Sequence, residues 1–202
     1  MQSRAVGESF ENAIDASLIW YEQHGIASIK KTPEPMKPLS RPDRMGRFRA
    51  CFEKKAQADF SGTLDGGQAI RFEAKHTDDD RIKYDRLSDE QVKDLETHTK
   101  LGAVTFVLVS FGMEGFFRIP WTVWRDMKKV YGRKYITRKE AERYRVPYMA
   151  GVIKILDGIY PDEKGAAYLK SGAYPDPCVA CGAYAGEGAH VCPEHQVKGD
   201  TP

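Results

Sequence analysis

Asp59, Glu73 and Lys75 are the side chains in this sequence best suited to chemistry. Glu73 and Lys75 stand two apart in a strand-like stretch, so both project from one face. A turn at Asp65-Gly66-Gly67 brings Asp59 back beside them. Two converging carboxylates hold a hard divalent ion such as Mg²⁺, with water and a phosphate oxygen completing its shell. The lysine orients the attacking water, or helps deprotonate it, and offsets charge in the transition state. These parts suit metal-assisted phosphodiester hydrolysis. The same spacing also occurs on ordinary solvent-facing strands. The apolar flanks Phe60, Ile70, Phe72 and Ala74 favour chemistry, because charges on half-buried strands need a partner or a metal.

A second constellation lies near the C-terminus. Cys178-x-x-Cys181 is followed by Cys192-x-x-His195, two closely spaced pairs that match tetrahedral Zn²⁺. His190 is an alternative fourth ligand. Four protein ligands would close the site and make it structural. Cys51, the remaining cysteine of four, reads as a free thiol, and so few cysteines suit a reducing compartment.

The elements that must position these residues follow from patterning. Phe10, Ile14, Leu18 and Tyr21 recur at helical spacing over 7–24, and Gly25 is a stop signal. A short strand follows at 26–29. Residues 56–60 and 68–75 read as two strands, with Ile70, Phe72 and Ala74 on one side and Arg71, Glu73 and Lys75 on the other. Residues 88–100 read as a helix, with Ser88 as N-cap and Gln91 at capping-box spacing. Ala103–Phe111 is a central buried strand and Phe116–Ile119 pairs beside it. Pro120 opens a short helix through Trp121, Trp124 and Met127, and Thr137 with Glu140 caps another that runs to about Tyr144. This order gives a mixed α/β domain over 1–160, followed by a Gly/Ala/Pro- and Cys-rich tail over 161–202 with its zinc knuckle at 178–195.

The stretches Ala58-Asp59-Phe60-Ser61-Gly62 and Ile70-Arg71-Phe72-Glu73-Ala74-Lys75-His76-Thr77 resemble the PD-(D/E)xK nuclease superfamily. Within it, they are similar to the RecU Holliday junction resolvases. Gly7-x-x-Phe10-Glu11, Gly25-Ile26-Ala27, Lys30-Lys31-x-Pro33-x-Pro35, Gln91, Gly102–Phe111 and Gly132-Arg133-Lys134 extend the likeness, in order, over roughly residues 7–147. The resemblance implies a mixed central sheet flanked by helices. It also implies a homodimeric, Mg²⁺-dependent endonuclease, with Mn²⁺ as a substitute ion, that nicks four-way DNA junctions symmetrically during recombination and repair. Asp59, Glu73 and the Ala74 carbonyl would then ligate the metal, and Lys75 would be the motif lysine. Glu11 would add a carboxylate, directly or through water. Gln91 would arrange the lysine or the phosphate, or serve only in its capping box. Ala58 replaces a hydroxyl residue common in bacterial members, the long N-terminal extension of many members is missing, and the Cys-rich tail is not part of the pattern. These departures suggest a phage-type or divergent member.

The formal charge of +2 hides an uneven distribution. Lys30–Gln57 carries nine basic side chains against three acidic, with Pro33, Pro35, Pro38 and Pro42 excluding a regular helix. It reads as an extended, exposed arm. The resemblance implies that residues 32–56 form a stalk entering the open junction, with Lys30, Lys31, Lys37, Arg41, Arg44, Arg47 and Arg49 on phosphates. Phe48 and Phe52 would stack on bases or pack the stalk. Arg133 and Lys134 are a second candidate phosphate site. Asp78–Glu96 carries eight acids against four bases, and Asp78-Asp79-Asp80 reads as a solvated loop rather than a second metal site. No apolar run is long enough for a membrane span and no apolar signal segment is read at the N-terminus, so the expected location is the cytoplasm of a bacterium or phage-infected cell. A recombinase is a further candidate partner. The competing functions are another PD-(D/E)xK nuclease acting on forks, flaps or duplex, and a catalytically silent junction-binding modulator of recombination.

Overall fold

The computed structural model describes residues 2–33, 35–52 and 57–159. Its elements in chain order are α1 (Gln2–Gln23), β1 (Ala27–Lys31), β2 (Met36–Pro38), β3 (Ala50–Phe52), β4 (Phe60–Leu64), β5 (Ala69–Thr77) and β6 (Arg81–Lys83). There follow α2 (Asp89–Lys100), β7 (Val104–Phe111), β8 (Phe116–Pro120), α3 (Trp121–Arg125), α4 (Met127–Tyr131), β9 (Tyr135–Thr137), α5 (Arg138–Ala141), β10 (Arg145–Val146), β11 (Tyr148–Met149) and β12 (Val152–Ile153). The zinc-knuckle residues Cys178, Cys181, Cys192 and His195, and the alternative His190, lie outside the described residues.

The stripe Phe10, Ile14, Leu18 and Tyr21 is buried, as its spacing requires, and lays α1 on one face of the sheet. The helix begins at Gln2 rather than at residue 7, since nothing in Gln2–Val6 breaks it. Six strands form the sheet in the order β1-β4-β5-β7-β8-β10. Only the β5–β7 pair is parallel, and α2 lies on the crossover that joins those two strands. Alternation along β5 decides which layer receives each side chain. Ile70 and Phe72 join α1, with Phe60, Phe72 and Phe106 stacked at 4.8 and 4.7 Å. On the opposite face, Val107, Val109, Phe117 and Ile119 pack with Leu95, Trp121, Trp124 and Met127 from the helices. As its nearly continuous apolar run indicates, β7 lies inside the sheet.

The strand expected at 56–60 runs instead from Phe60 to Leu64. The turn sets this register: Gly66 and Gly67 take φ of +84° and +88°, and Thr63 then faces Ala69 while Phe60 faces Phe72. Ser61-Gly62-Thr63 has little strand character, which hid it. Gly62 is there because β1 crosses closely. A Cβ on it would stand 2.1 Å from the Ser28 carbonyl oxygen and 2.6 Å from the Ile29 Cα, both backbone. Gly62→Ala should therefore cost about 2–3 kcal/mol, near the top of the range for overpacking, read as a lowered urea-unfolding midpoint.

The proline-rich arm contains a two-stranded antiparallel ribbon, with Met36 opposite Phe52 and Pro38 opposite Ala50. Its tip is closed by Asp43, whose carboxylate accepts from the Met45 and Arg47 amides at 2.8 and 3.0 Å. Every side chain described from Pro35 to Cys51 is exposed, Met36, Leu39, Met45 and Phe48 among them. Cys51 is a free, exposed thiol. Among the described residues, no helix is long and apolar enough to cross a membrane.

Candidate active site

The ladder between β4 and β5 ends at Phe60–Phe72, while β5 continues beside β7 as far as Thr77. Asp59 and the second half of β5 therefore flank a fork in the sheet. In the fork, side-chain and backbone groups replace the missing ladder bonds. The Asp59 carboxylate accepts from the Ala74 amide at 3.3 Å, and the Asp59 amide donates to Glu73 Oε2 at 3.1 Å. An extended strand turns the N–H and C=O of one residue to the same side. The Ala74 carbonyl thus shares Asp59's side of β5.

Glu73 is completely buried, on the face that carries α2. Its Oε1 accepts from the Lys75 ammonium at 2.6 Å and from the Gln91 side-chain amide. Gln91 takes part in two arrangements at once. Its Oε1 accepts from the Ser88 amide at 3.0 Å in the capping box, and its Nε2 serves the site. The described site partner of Gln91 Nε2 is Glu73.

Burial pushes the Glu73 carboxyl up to about 7; the neighbouring Asp59 pushes the same way and Lys75 pulls back. A divalent cation between the two carboxylates would relieve both burial and repulsion, so the donor set fits such an ion. Among the described residues, no three His, Cys, Asp or Glu side chains gather closely enough to hold one alone. Two carboxylates would need the Ala74 carbonyl and water to complete the shell.

The sign of the pH dependence follows. A carboxyl raised from 4.5 to about 7 stabilises the metal-free fold when protonated. That contribution is complete below the unfolded value and is lost as pH rises through about 7. Between pH 6 and 8 the loss is about 1 kcal/mol. Thermal unfolding in a chelator should show this fall in the wild type and not in Glu73→Gln, and Mg²⁺ should restore stability at pH 8 only to the wild type.

The other candidate residues are distributed more widely. Glu11, on α1, is ion-paired with Lys31 on β1, whose backbone faces Phe60. Lys30 pairs with Glu22 at 2.6 Å and Arg47 with Asp43 at 3.0 Å. Lys37, Arg41, Arg44 and Arg49 are exposed along the ribbon. Arg133, a candidate phosphate contact, has partners within the fold. Its guanidinium donates to both oxygens of Glu140 at 2.7 Å and lies 4.5 Å over the Tyr135 ring, which ties down the start of α5. Lys134 is exposed, 5.6 Å over the Tyr84 ring. Asp78, Asp79 and Asp80 are exposed, as a solvated loop requires.

Two residues at the site escaped the sequence reading. Asp94, on α2, receives Arg71 from β5 at 3.2 Å and the Ala58 amide at 3.1 Å. Their signal was indirect. Arg71 alternates with Glu73 on β5, and Asp94 lies one turn after Gln91 on α2.

A family model described as "Recombination protein U" (RecU) matches residues 5–159. The Holliday junction resolvase RecU of Bacillus licheniformis is 27% identical over 168 residues, covering 76% of this chain and 84% of that protein. Its counterpart in Streptococcus oralis is 33% identical over 114 residues, covering 54% of this chain and 57% of that protein. A solved structure of Archaeoglobus fulgidus Hjc, titled a Holliday junction resolvase, aligns with a TM-score of 0.38 at 13% identity over 61% of this chain and 84% of that one, too weak a likeness to carry an argument. The family match spans the whole fork, from α1 through β5 to α2, and the chain belongs to the RecU family of recombination proteins.

Proposed function

We infer that this protein is a Holliday junction resolvase, an endonuclease that hydrolyses DNA phosphodiester bonds at four-way junctions. The observation that carries the chemistry is Glu73, buried in the fork and held by the Asp59 amide, Lys75 and Gln91. Mg²⁺, or Mn²⁺ in its place, held by Asp59, Glu73 and the Ala74 carbonyl, would supply Lewis acidity toward the scissile phosphate and its attacking water. The protein's own groups do the rest. Gln91 and the Asp59 amide fix both oxygens of Glu73, so the carboxylate is preorganised. Lys75 Nζ donates to Glu73 at 2.6 Å and would orient the attacking water or offset charge on the phosphate. Water would add to phosphorus as the bond to one ester oxygen breaks; one water proton stays on the new phosphate hydroxyl and the other is passed on, so that the departing oxygen leaves as a hydroxyl.

Junction selectivity is assigned to the ribbon at residues 36–52, acting as a stalk. It combines exposed cations with exposed Met45 and Phe48 near its tip, and such apolar side chains suit unstacked bases at a junction centre. A two-fold homodimer would present two forks to strands of like polarity. Cytoplasmic DNA repair is the corresponding setting, and a recombinase is the proposed protein partner. For the tail, the spacing of Cys178, Cys181, Cys192 and His195 supports one structural Zn²⁺ per chain. Elemental analysis of chelator-washed, folded protein should find it. Incubation with a synthetic four-way junction and Mg²⁺ tests the function, with duplex and flap DNA beside it.

A further inference from the structure

The fork carries two rungs between β5 and α2, and only one touches the candidate metal ligands. The first joins Glu73 to Gln91. The second lies one step away on both elements: Arg71 is two residues before Glu73 on the same strand face, and Asp94 is one helical turn after Gln91. Arg71 Nη1 donates to both Asp94 oxygens at 3.2 Å, with the two side chains only 21% and 12% exposed. His98, one turn further along α2, stands 3.7 Å from Asp94 Oδ1.

Asp94 also reaches outside this pair. Its Oδ2 accepts from the backbone amide of Ala58 at 3.1 Å, and Ala58 is completely buried. The next residue is Asp59, which lies before β4 begins and has no ladder of its own. On the Asp59 side, the backbone is tied by the Thr32 amide to the Asp59 carbonyl at 2.7 Å, and by the Asp59 amide to Glu73. On the Ala58 side, the described tie is Asp94.

We propose that Asp94, held by Arg71, is a positioning residue that aims Asp59 by anchoring the Ala58 amide. The proposal rests on the reading of Asp59 as a metal ligand. A carboxylate suits this task because it can satisfy a guanidinium and a backbone amide at once. Because the anchor sits on α2, the same helix sets both Glu73, through Gln91, and Asp59, through Ala58. A ligand displaced by about 1 Å can cost on the order of 10²-fold in rate.

The test compares wild type, Asp94→Ala, Asp94→Asn and Arg71→Met. In metal-free protein, hydrogen exchange at the Ala58 and Asp59 amides should quicken about tenfold or more in Asp94→Ala, because the anchoring acceptor is gone. With Mg²⁺ and a four-way junction, its kcat should fall about 10- to 100-fold and its half-saturating Mg²⁺ concentration should rise, with junction affinity nearly unchanged. Asp94→Asn keeps an acceptor for the amide and should recover most of both. Should Asp94→Ala fail to fold, Arg71→Met carries the test, with the same shifts at smaller size. A merely structural role would lower the melting temperature and leave exchange at Ala58, the Mg²⁺ dependence and kcat at wild-type values, and that result overturns the proposal. Failure of the underlying reading looks different: Asp59→Asn would then cleave as well as wild type.

Discussion

Lys75→Ala leaves a four-way junction bound but uncut. The expected loss in single-turnover cleavage is about 10²- to 10⁴-fold, the range for removing a positioned proton-handling or charge-stabilising group. The structure explains why binding should survive. Lys75 is 17% exposed and directed at Glu73, 2.6 Å away inside the fork. It contributes little to the outer surface where a duplex would lie. Removing the ammonium takes away the positive charge that favours ionised Glu73. The carboxyl can then retain its proton near neutral pH, so the fold has an inexpensive way to accommodate the change. Gel-shift titration with Ca²⁺ and quench-flow cleavage with Mg²⁺ separate the two effects. Equal cleavage by wild type and variant would remove Lys75 from the mechanism.

Replacing residues 36–52 by a short Gly-Ser turn should weaken junction binding by about 10²-fold or more and erase the preference for junction over duplex. That segment holds Lys37, Arg41, Arg44, Arg47 and Arg49 against a single acid, Asp43. If all five cations meet phosphates, their loss flattens the dependence of log K on log salt by about 4. The fold should remain, because the side chains described from Pro35 to Cys51 are exposed and contribute nothing to either apolar layer. Circular dichroism and the melting temperature check this, and filter binding across a salt series measures the slope. Unchanged junction affinity with an unchanged slope would transfer recognition to another surface.

The parts of the site legible in sequence were those fixed by local periodicity. Strict alternation in Ile70–Lys75 gave the correct face to Glu73 and Lys75, and the Ser88–Gln91 spacing gave a true capping box. Positions set by pairing between distant elements were not legible. The strand after Asp59 was misplaced because Gly62 earns its place from the backbone of β1, which no local propensity reports. Arg71 and Asp94 meet only once α2 packs on β5, 23 residues apart in sequence. Arg133 reads as a candidate phosphate contact, and its bond to Glu140 on α5 was not legible from local sequence. The acidic segment also divided on folding. Asp78–Asp80 stay in solvent, whereas Glu96 turns to Trp121 Nε1 at 2.8 Å and Arg125 at 3.3 Å. Net charge along a chain therefore located the arm but could not separate solvated acids from those engaged in packing.

The most direct single measurement is strand-resolved cleavage of a synthetic mobile four-way junction by the purified protein in Mg²⁺, beside flap and linear duplex of matching sequence. Resolution by two related forks predicts paired nicks at symmetry-related positions in two strands of like polarity, and little cutting of flap or duplex. Flap or duplex cut as readily as the junction, or a junction bound by wild type yet left without paired nicks in both Mg²⁺ and Mn²⁺, would contradict it.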